Sequence, residues 1–384
     1  MTKRINKVAQ AAGIVAAMCF SAGGLAAEDS EGTGANLTVP EMTSPPLDPN
    51  APLSRVAFGS CFNQNKEQEI WRAVRAAEPD AFLFMGDNMY ADKFSEAGER
   101  LTSPALIAEA YGELARSEPF AELRRDTPVL ATWDDHDYGL NDAGADYIYK
   151  KQSERLFLDA WGATQSDPRR GRDGVYTSGV YGPEGRRVQI ILLDTRYFRS
   201  PFKPTDEPKA PGKEIYLPDD DPQKTILGKA QWAWLETELK KPADVRLIVS
   251  SYQVAAEGHG YERWGLLPLE RRRLYDLIFT TGANGVVILS GDRHLGAIYR
   301  DETAPAYPLY EVTSSSLNAP SWSWAQGERE PGPKRIADTY GDVNFGLIQF
   351  DWEADALGLE LRGGDGALQR GVMVRLSDLR ASVN

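Results

Sequence analysis

Four short polar runs in the 384-residue sequence each follow an apolar stretch: Gly59-Ser60-Cys61, Gly86-Asp87-Asn88-Met89-Tyr90-Ala91-Asp92, Trp133-Asp134-Asp135-His136-Asp137 and Ser290-Gly291-Asp292-Arg293-His294. Carboxylate, imidazole, thiolate and phenolate together make up the ligand set of transition metals and hard cations. A lone histidine on a loop is more often structural than a ligand. Here only three histidines exist, His136, His259 and His294, and two of them fall in these runs beside aspartates, which favours the ligand reading. Asp87 is the natural bridge between two cations, because its two oxygens can serve both. Tyr90, with an ordinary pKa of about 10, binds only as phenolate, to a strongly acidic ion such as ferric iron; taken alone it would be read as packing on a sheet edge. A coordinated metal would deprotonate the Cys61 thiol outright. Thiolate and phenolate together point to one iron-like site, and the remaining oxygen donors to a harder second ion such as calcium.

These runs need elements that bring them to one place. Short strand-type runs at 55–58, 81–85, 129–133, 188–193, 246–250, 285–289 and 309–313 alternate with helical stretches at 67–77, 105–123, 146–161, 228–240 and 269–280. That alternation predicts an α/β domain with strands buried between helical layers. In such sheets ligands bind beyond the carboxyl ends of the strands, which is where all four polar runs fall. Residues 200–223, with six prolines, read as an irregular surface excursion. The stretches 347–350, 358–362 and 371–376 read as antiparallel strands completing a sheet, so that 53–384 forms a single domain.

Lys3, Arg4 and Lys7, then an apolar run at 11–20, then Leu25-Ala26-Ala27, form a secretory signal peptide over 1–27. The apolar run is shorter than the roughly 20 residues a membrane span requires. With no Arg-Arg pair, Sec export is favoured over twin-arginine export, and the location is periplasmic or extracellular. A flexible leader is expected at 28–52. Cleavage takes the formal charge from −13 to −16 and removes Cys19, leaving Cys61 as the sole thiol. Alone in an oxidising compartment, that thiol is an inert buried residue, a nucleophile or a metal ligand. The acidic balance argues against an extended nucleic-acid surface and leaves a small phosphorylated substrate open.

The motifs Gly59-Ser60-Cys61, Gly86-Asp87-x-x-Tyr90-x-Asp92, Trp133-Asp134-Asp135-His136-Asp137, Leu193-Asp194-Thr195-Arg196 and Ser290-Gly291-Asp292-x-His294 resemble the PhoD-like alkaline phosphatase/phosphodiesterase family of the calcineurin-like metallophosphoesterase superfamily. The Gly-Asp-x-x-Tyr element also resembles purple acid phosphatases, in which the tyrosine ligates ferric iron. The resemblance implies a four-layer αββα sandwich and a dinuclear or multinuclear centre, with Fe(III) and Ca(II) expected and Zn or Mn as alternatives. Cys61, Asp87, Tyr90 and Asp292 or His294 would hold the iron. Asp87 would bridge to a calcium site that Asp135 helps form, Asp135 standing where most superfamily members have the Asn of a Gly-Asn-His motif. His136 would be the proton donor. The histidine expected after the fifth strand is absent at Ser250-Ser251-Tyr252-Gln253, where Gln253 or His259 would have to substitute.

Phosphate esters resist hydrolysis because their anionic oxygens repel a nucleophile. Two cations about 3.5–4 Å apart neutralise those oxygens and acidify a shared water for in-line attack, and an imidazole then protonates the leaving alkoxide. Arg196 and Arg293 are candidates to clamp the phosphate in bidentate fashion. Asp194 is a candidate ligand or an orienting partner for Arg196, and Asp134 and Asn141 are further oxygen ligands in prospect. Two other readings compete. One is a cysteine hydrolase with Cys61 as nucleophile and His136 or His294 as base. The other is a non-catalytic periplasmic protein that binds phosphate or cations.

Overall fold

Every residue of the runs at 81–85, 188–192 and 286–290 is buried, as strands covered on both faces should be. The computed structural model describes residues 37–321 and 332–381. The signal peptide expected at 1–27 and the Trp322-Ser323-Trp324 segment lie outside the described residues. The main strands, in chain order, are β1 (Arg55–Gly59), β2 (Ala81–Met85), β3 (Val129–Thr132), β4 (Thr177–Tyr181), β5 (Val188–Leu192), β6 (Val245–Ser250), β7 (Val286–Ser290), β8 (Gly296–Asp301), β9 (Leu309–Ser314), β10 (Asn344–Asp351), β11 (Ala356–Gly363) and β12 (Leu368–Arg375). They form two six-stranded sheets, in the orders β12-β11-β10-β1-β2-β3 and β8-β9-β7-β6-β5-β4. The helices are α1 (Ile70–Ala76), α2 (Pro104–Ala115), α3 (Glu118–Asp126), the single turn α4 (Asp135–Tyr138), α5 (Lys150–Ala160), α6 (Gly228–Leu239) and α7 (Pro268–Thr280).

The period-2 alternation of side chains assigns the layers. Val56, Phe58, Leu83 and Met85 join one core cluster with Leu192, Val249 and Leu289 of the other sheet, while Ala57, Phe82 and Phe84 face a second cluster with Trp71, Ile107, Phe120 and Phe157 from α1, α2, α3 and α5. The first cluster continues to Trp232 and Leu235 of α6 and Leu274 and Ile278 of α7. The expected four-layer αββα arrangement follows.

β1, β2 and β3 are mutually parallel, as are β5, β6, β7 and β9, so the carboxyl ends that carry the polar runs lie along one rim of each sheet. The rims are stitched together: Ser60 and Ser315 form a parallel bridge, and the Thr132 hydroxyl donates to the Leu193 carbonyl at 2.7 Å.

Three local outcomes differ from expectation. The helix expected at 105–123 is two helices, because the Ser117 hydroxyl accepts the Phe120 N–H at 3.4 Å and Pro119 sits in the first turn of α3. β4 and β8 were not foreseen; both are outermost strands of their sheet, and the first, Thr-Ser-Gly-Val-Tyr, is only half buried. Residues 37–52, within the expected leader, have neither helix nor strand but lie against the domain. There Met42 N–H donates to Ala160 O at 2.7 Å, and Pro49 O accepts from Gly182 N–H at 2.9 Å.

The Trp71 ring packs on Phe62, Phe82, Phe84 and Phe120 with centroids 4.9, 5.2, 5.8 and 4.8 Å away. Trp71→Ala should therefore cost about 3–5 kcal/mol, read as a lowered urea midpoint at unchanged slope. An unchanged midpoint would contradict this packing account.

Candidate metal centre

The polar runs are placed by backbone that most residues avoid. Cys61, Asp87, Asp292 and His294 have φ of 56, 48, 69 and 54°, in the left-handed region that non-glycine residues seldom occupy. Strain of this kind persists only where the surroundings over-determine it. Gly86 has φ 105°, and a Cβ there would lie 2.6 Å from Asp134 Cβ; one on Gly291 would lie 2.3 Å from Ser60 Oγ. Only glycine permits these turns to interlock. Asp137 is spent on the scaffold: its carboxylate accepts the Asp134 N–H at 2.6 Å and the Asn88 N–H at 3.3 Å. Gln64 pins the backbone of Tyr90, accepting its N–H at 2.9 Å and donating to its carbonyl at 3.0 Å.

On this scaffold the side chains converge. Cys61 Sγ lies 3.3 Å from Asp87 Oδ2, and the Tyr90 hydroxyl donates to the same oxygen at 3.2 Å. Ligand atoms of four groups, each within 4.8 Å of one another, are presented by Cys61, Asp87 and His294; by Asp87, Asp135 and His136; by Asp134, Asp135 and Asp292; and by Asp135, Asp142 and Glu262. Asp87 belongs to two of these groups and Asp135 to three. Asp134 Oδ2 and Asp135 Oδ1 are buried without a hydrogen-bond partner, a state that costs free energy unless something else satisfies the oxygen. The donor set, the unpartnered Asp134 Oδ2 and an Asp135 Oδ1 met only by the Arg196 guanidinium at 3.7 Å fit bound cations.

The electrostatics agree with that fit. Burial first, and then neighbouring carboxylates, push the Asp87 and Asp292 carboxyls well above the carboxylate range, against His136 and Arg293 respectively. Burial also raises Asp134 to about 6 despite Arg196, and raises Asp142 to about 7 with Glu262 adding to it. Burial works against the Asp135 charge as well, but His136 and Arg196 hold that carboxyl low. Burial and the charge of Asp87 push the Cys61 thiol and the Tyr90 phenol up. Desolvation lowers His294 to about 4, so it is a neutral imidazole, the form that ligates metal; its Nδ1 is paired with the Ala319 carbonyl, leaving Nε2 for a ligand.

Several expected residues are placed elsewhere. Arg196 has no solvent exposure. Its guanidinium pairs with Asp134 Oδ1 and, at 2.6 Å, with Glu262 Oε2, so it steadies carboxylates from behind and does not reach out to clamp a phosphate. Asp194 accepts backbone N–H groups of Val175, Arg196 and Tyr197, each at 2.9 Å, which makes it the organiser of its turn and removes it from the ligand set. Asn141 lies exposed on the rim, accepting from Arg100 at 2.9 Å. Gln253 and His259 bond each other at 3.0 Å, and Gln253 donates to Tyr299 and Thr313 at 3.0 and 3.1 Å. His259 lies outside the four ligand groups, and the Gln253 amide oxygen, the atom that would ligate, is already paired with His259. Ser251 instead donates to Asp134 Oδ1 where the missing histidine was sought.

Three contributors escaped the sequence reading. Asp92 pairs with His136 Nδ1 and is itself held by Arg100 at 2.6 Å; its place in the Tyr90-x-Asp92 motif was the available signal. Asp142 and Glu262 complete the fourth ligand group, and no motif marks them. A cavity of about 270 Å³ is lined by the candidate ligands Asp135, His136, Asp292 and His294 together with Ile215, Tyr261 and Arg293. The Arg293 guanidinium lies over the Tyr261 ring at 4.3 Å.

The model of the PhoD-like phosphatase family matches residues 56–345. Alkaline phosphatase D of Bacillus subtilis (strain 168) is 26% identical over 285 residues, covering 66% of this chain and 48% of that protein, so the chain spans about half the length of this curated relative. Among solved structures, one titled as the structure of PhoD superposes with a TM-score of 0.66 at 17% identity, covering 88% of this chain and 73% of that one. GAP50, the anchor in the inner membrane complex of Plasmodium, superposes with a TM-score of 0.50 at 12% identity, covering 86% and 90%. At these identities the two superpositions speak for the fold alone.

Protein purified without chelator should carry roughly two metal ions per chain, the number a shared carboxylate implies. Asp87→Ala should lose them and Gln253→Ala should keep them, by elemental analysis. Native metal content in Asp87→Ala would remove that residue from the centre.

Proposed function

The chain belongs to the PhoD-like phosphatase family, and from that premise we propose that it is a metal-dependent phosphoesterase acting on small phosphate mono- or diesters. The observation that carries this reading is the sharing of Asp87 and Asp135 among adjacent ligand groups at the convergent strand ends. Cys61, Asp87, Tyr90 and His294 would hold an iron-like ion. Asp87, Asp135 and their oxygen-donor neighbours would hold a harder ion such as calcium, with zinc or manganese as alternatives. When bound, such cations neutralise phosphate oxygens and acidify water.

The chain's own residues do the rest. Asp92 fixes His136 through Nδ1, which leaves Nε2 for the cavity that His136 lines. Burial opposes a charge on this imidazole, but Asp135, Asp87 and Asp92 together hold its pKa well above the usual histidine value. Were Asp87 and Asp135 to hold cations, their charges would bias His136 less and its pKa would lie nearer the range of a general acid. From that position His136 would deliver its proton to the leaving oxygen. Arg293, which lines the same cavity, would meet a non-bridging phosphate oxygen, a role Arg196, with no solvent exposure, is too deep to fill.

The geometry weighs against a thiol nucleophile. Among the described residues no hydrogen bond joins Cys61 to a histidine: a His294 nitrogen lies within 4.8 Å, but the hydrogen-bond partners of the thiol are Asp87 and the hydroxyls of Ser60 and Ser315, and burial and Asp87 push the thiol up rather than activate it. Export through the signal peptide at 1–27 is part of the proposal. No helix among the described residues is long and apolar enough to cross a membrane.

Hydrolysis of p-nitrophenyl phosphate and of its bis ester tests the reading. Activity should vanish on chelation and return with added iron and calcium. His136→Ala should keep its metal while kcat falls about 10²–10⁴-fold, and Asp92→Asn should show a smaller loss in the same sense. Chelator-insensitive activity abolished by iodoacetamide would replace this reading with the thiol enzyme.

A further inference from the structure

Ser315 touches two of the candidate ligands through one atom. Its Oγ lies 3.1 Å from Cys61 Sγ and 2.7 Å from the backbone nitrogen of His294. A backbone N–H can only donate, so the Ser315 oxygen accepts there, and its single proton remains to be given. A metal-bound Cys61 is a thiolate without a proton of its own. The direction of the second contact is then fixed as O–H to sulfur.

The neighbouring hydroxyl is the weaker donor to this sulfur. Ser60 Oγ is 3.7 Å from the same sulfur but donates to the Ser314 carbonyl at 3.2 Å. Ser315 is also held at both ends of its backbone environment, by the parallel bridge to Ser60 and by its N–H donating to Leu295 O at 3.1 Å. The hydroxyl therefore has one place to be, fully buried between two residues of left-handed φ.

We propose that Ser315 is a positioning residue of the metal centre: its hydroxyl links the His294 turn to the Cys61 turn and donates a hydrogen bond to the thiolate, withdrawing electron density from the sulfur. This rests on the reading of Cys61 as a metal ligand. Hydrogen bonds to ligating sulfurs tune the electronics of a site, and partners outside the ligand shell orient its ligands.

Cobalt(II) reports on the sulfur directly. The full chain, stripped by chelation and reloaded with Co(II) alone, should show a thiolate-to-cobalt charge-transfer band. In Ser315→Ala that band should move to longer wavelength, because an unbridged thiolate is more easily oxidised, and Ser315→Thr, which keeps the hydroxyl, should return it to the native position. A band in Ser315→Ala that coincides with the native one overturns the proposal, as does a Ser315→Thr band that stays with the alanine variant. Cys61→Ala separates the two levels: loss of the band upholds the thiolate ligand, whereas an unchanged band overturns that reading and the proposal with it.

Discussion

Mutual repulsion of carboxylates is the constraint on which this structure turns. Asp87, Asp134, Asp135 and Glu262 are buried, and Asp142 and Asp292 half-buried, in one volume at the ends of two sheets. Two unit charges about 4 Å apart repel by about 4 kcal/mol at an effective dielectric of 20, and several such pairs exist here. Arg196 and Arg199 offset part of this through Glu262, at 2.6 and 3.4 Å, and Arg196 reaches Asp134 as well. The rest must be met by protons, as the raised Asp87 and Asp292 carboxyls indicate, or by cations. Asp134 Oδ2 has no hydrogen-bond partner and Asp135 Oδ1 is met only by the Arg196 guanidinium at 3.7 Å; cations would satisfy both.

The fold accepts costs elsewhere to maintain that concentration of charge. Left-handed backbone at four ligand candidates, glycines pressed against Asp134 and Ser60, and an aspartate consumed as a scaffold acceptor all hold side chains in positions they would otherwise leave. The two sheets supply the rigidity, since β2 and β7 are buried throughout, β1 and β3 are buried at the ends nearest the site, and the rims are stitched together through Ser60, Ser315 and Thr132. The aromatic cluster around Trp71 supports the rim that carries Cys61 and Asp87.

What was legible in the sequence follows from this physics. Fully apolar strands ending in Gly-Asp or Ser-Gly-Asp announce both the sheet and the site, because local order alone puts the carboxylate at the strand end. Asp87, Asp135 and His294 were readable for that reason. Asp142 and Glu262 were not, because they reach the cluster from irregular loops whose course is set by tertiary bonds such as Tyr216 OH to Asp142 Oδ2 at 2.7 Å. Arg196 was legible as important but its role was misjudged, since a strand-end arginine looks alike in sequence whether it faces the cavity or, as here, the back of the carboxylates. Gln253 and His259 suggested replacements for a missing ligand, and only the fold reveals that they bond each other.

The central claim is that cations, shared through Asp87, neutralise this cluster. Anomalous diffraction from crystals of the native protein, recorded on either side of the iron edge and at long wavelength for calcium, tests it most directly. The account predicts two peaks about 3.5–4 Å apart with an Asp87 oxygen between them and the iron peak beside Cys61. An active protein whose crystals show only ordered water between Asp87 and Asp135 would contradict it.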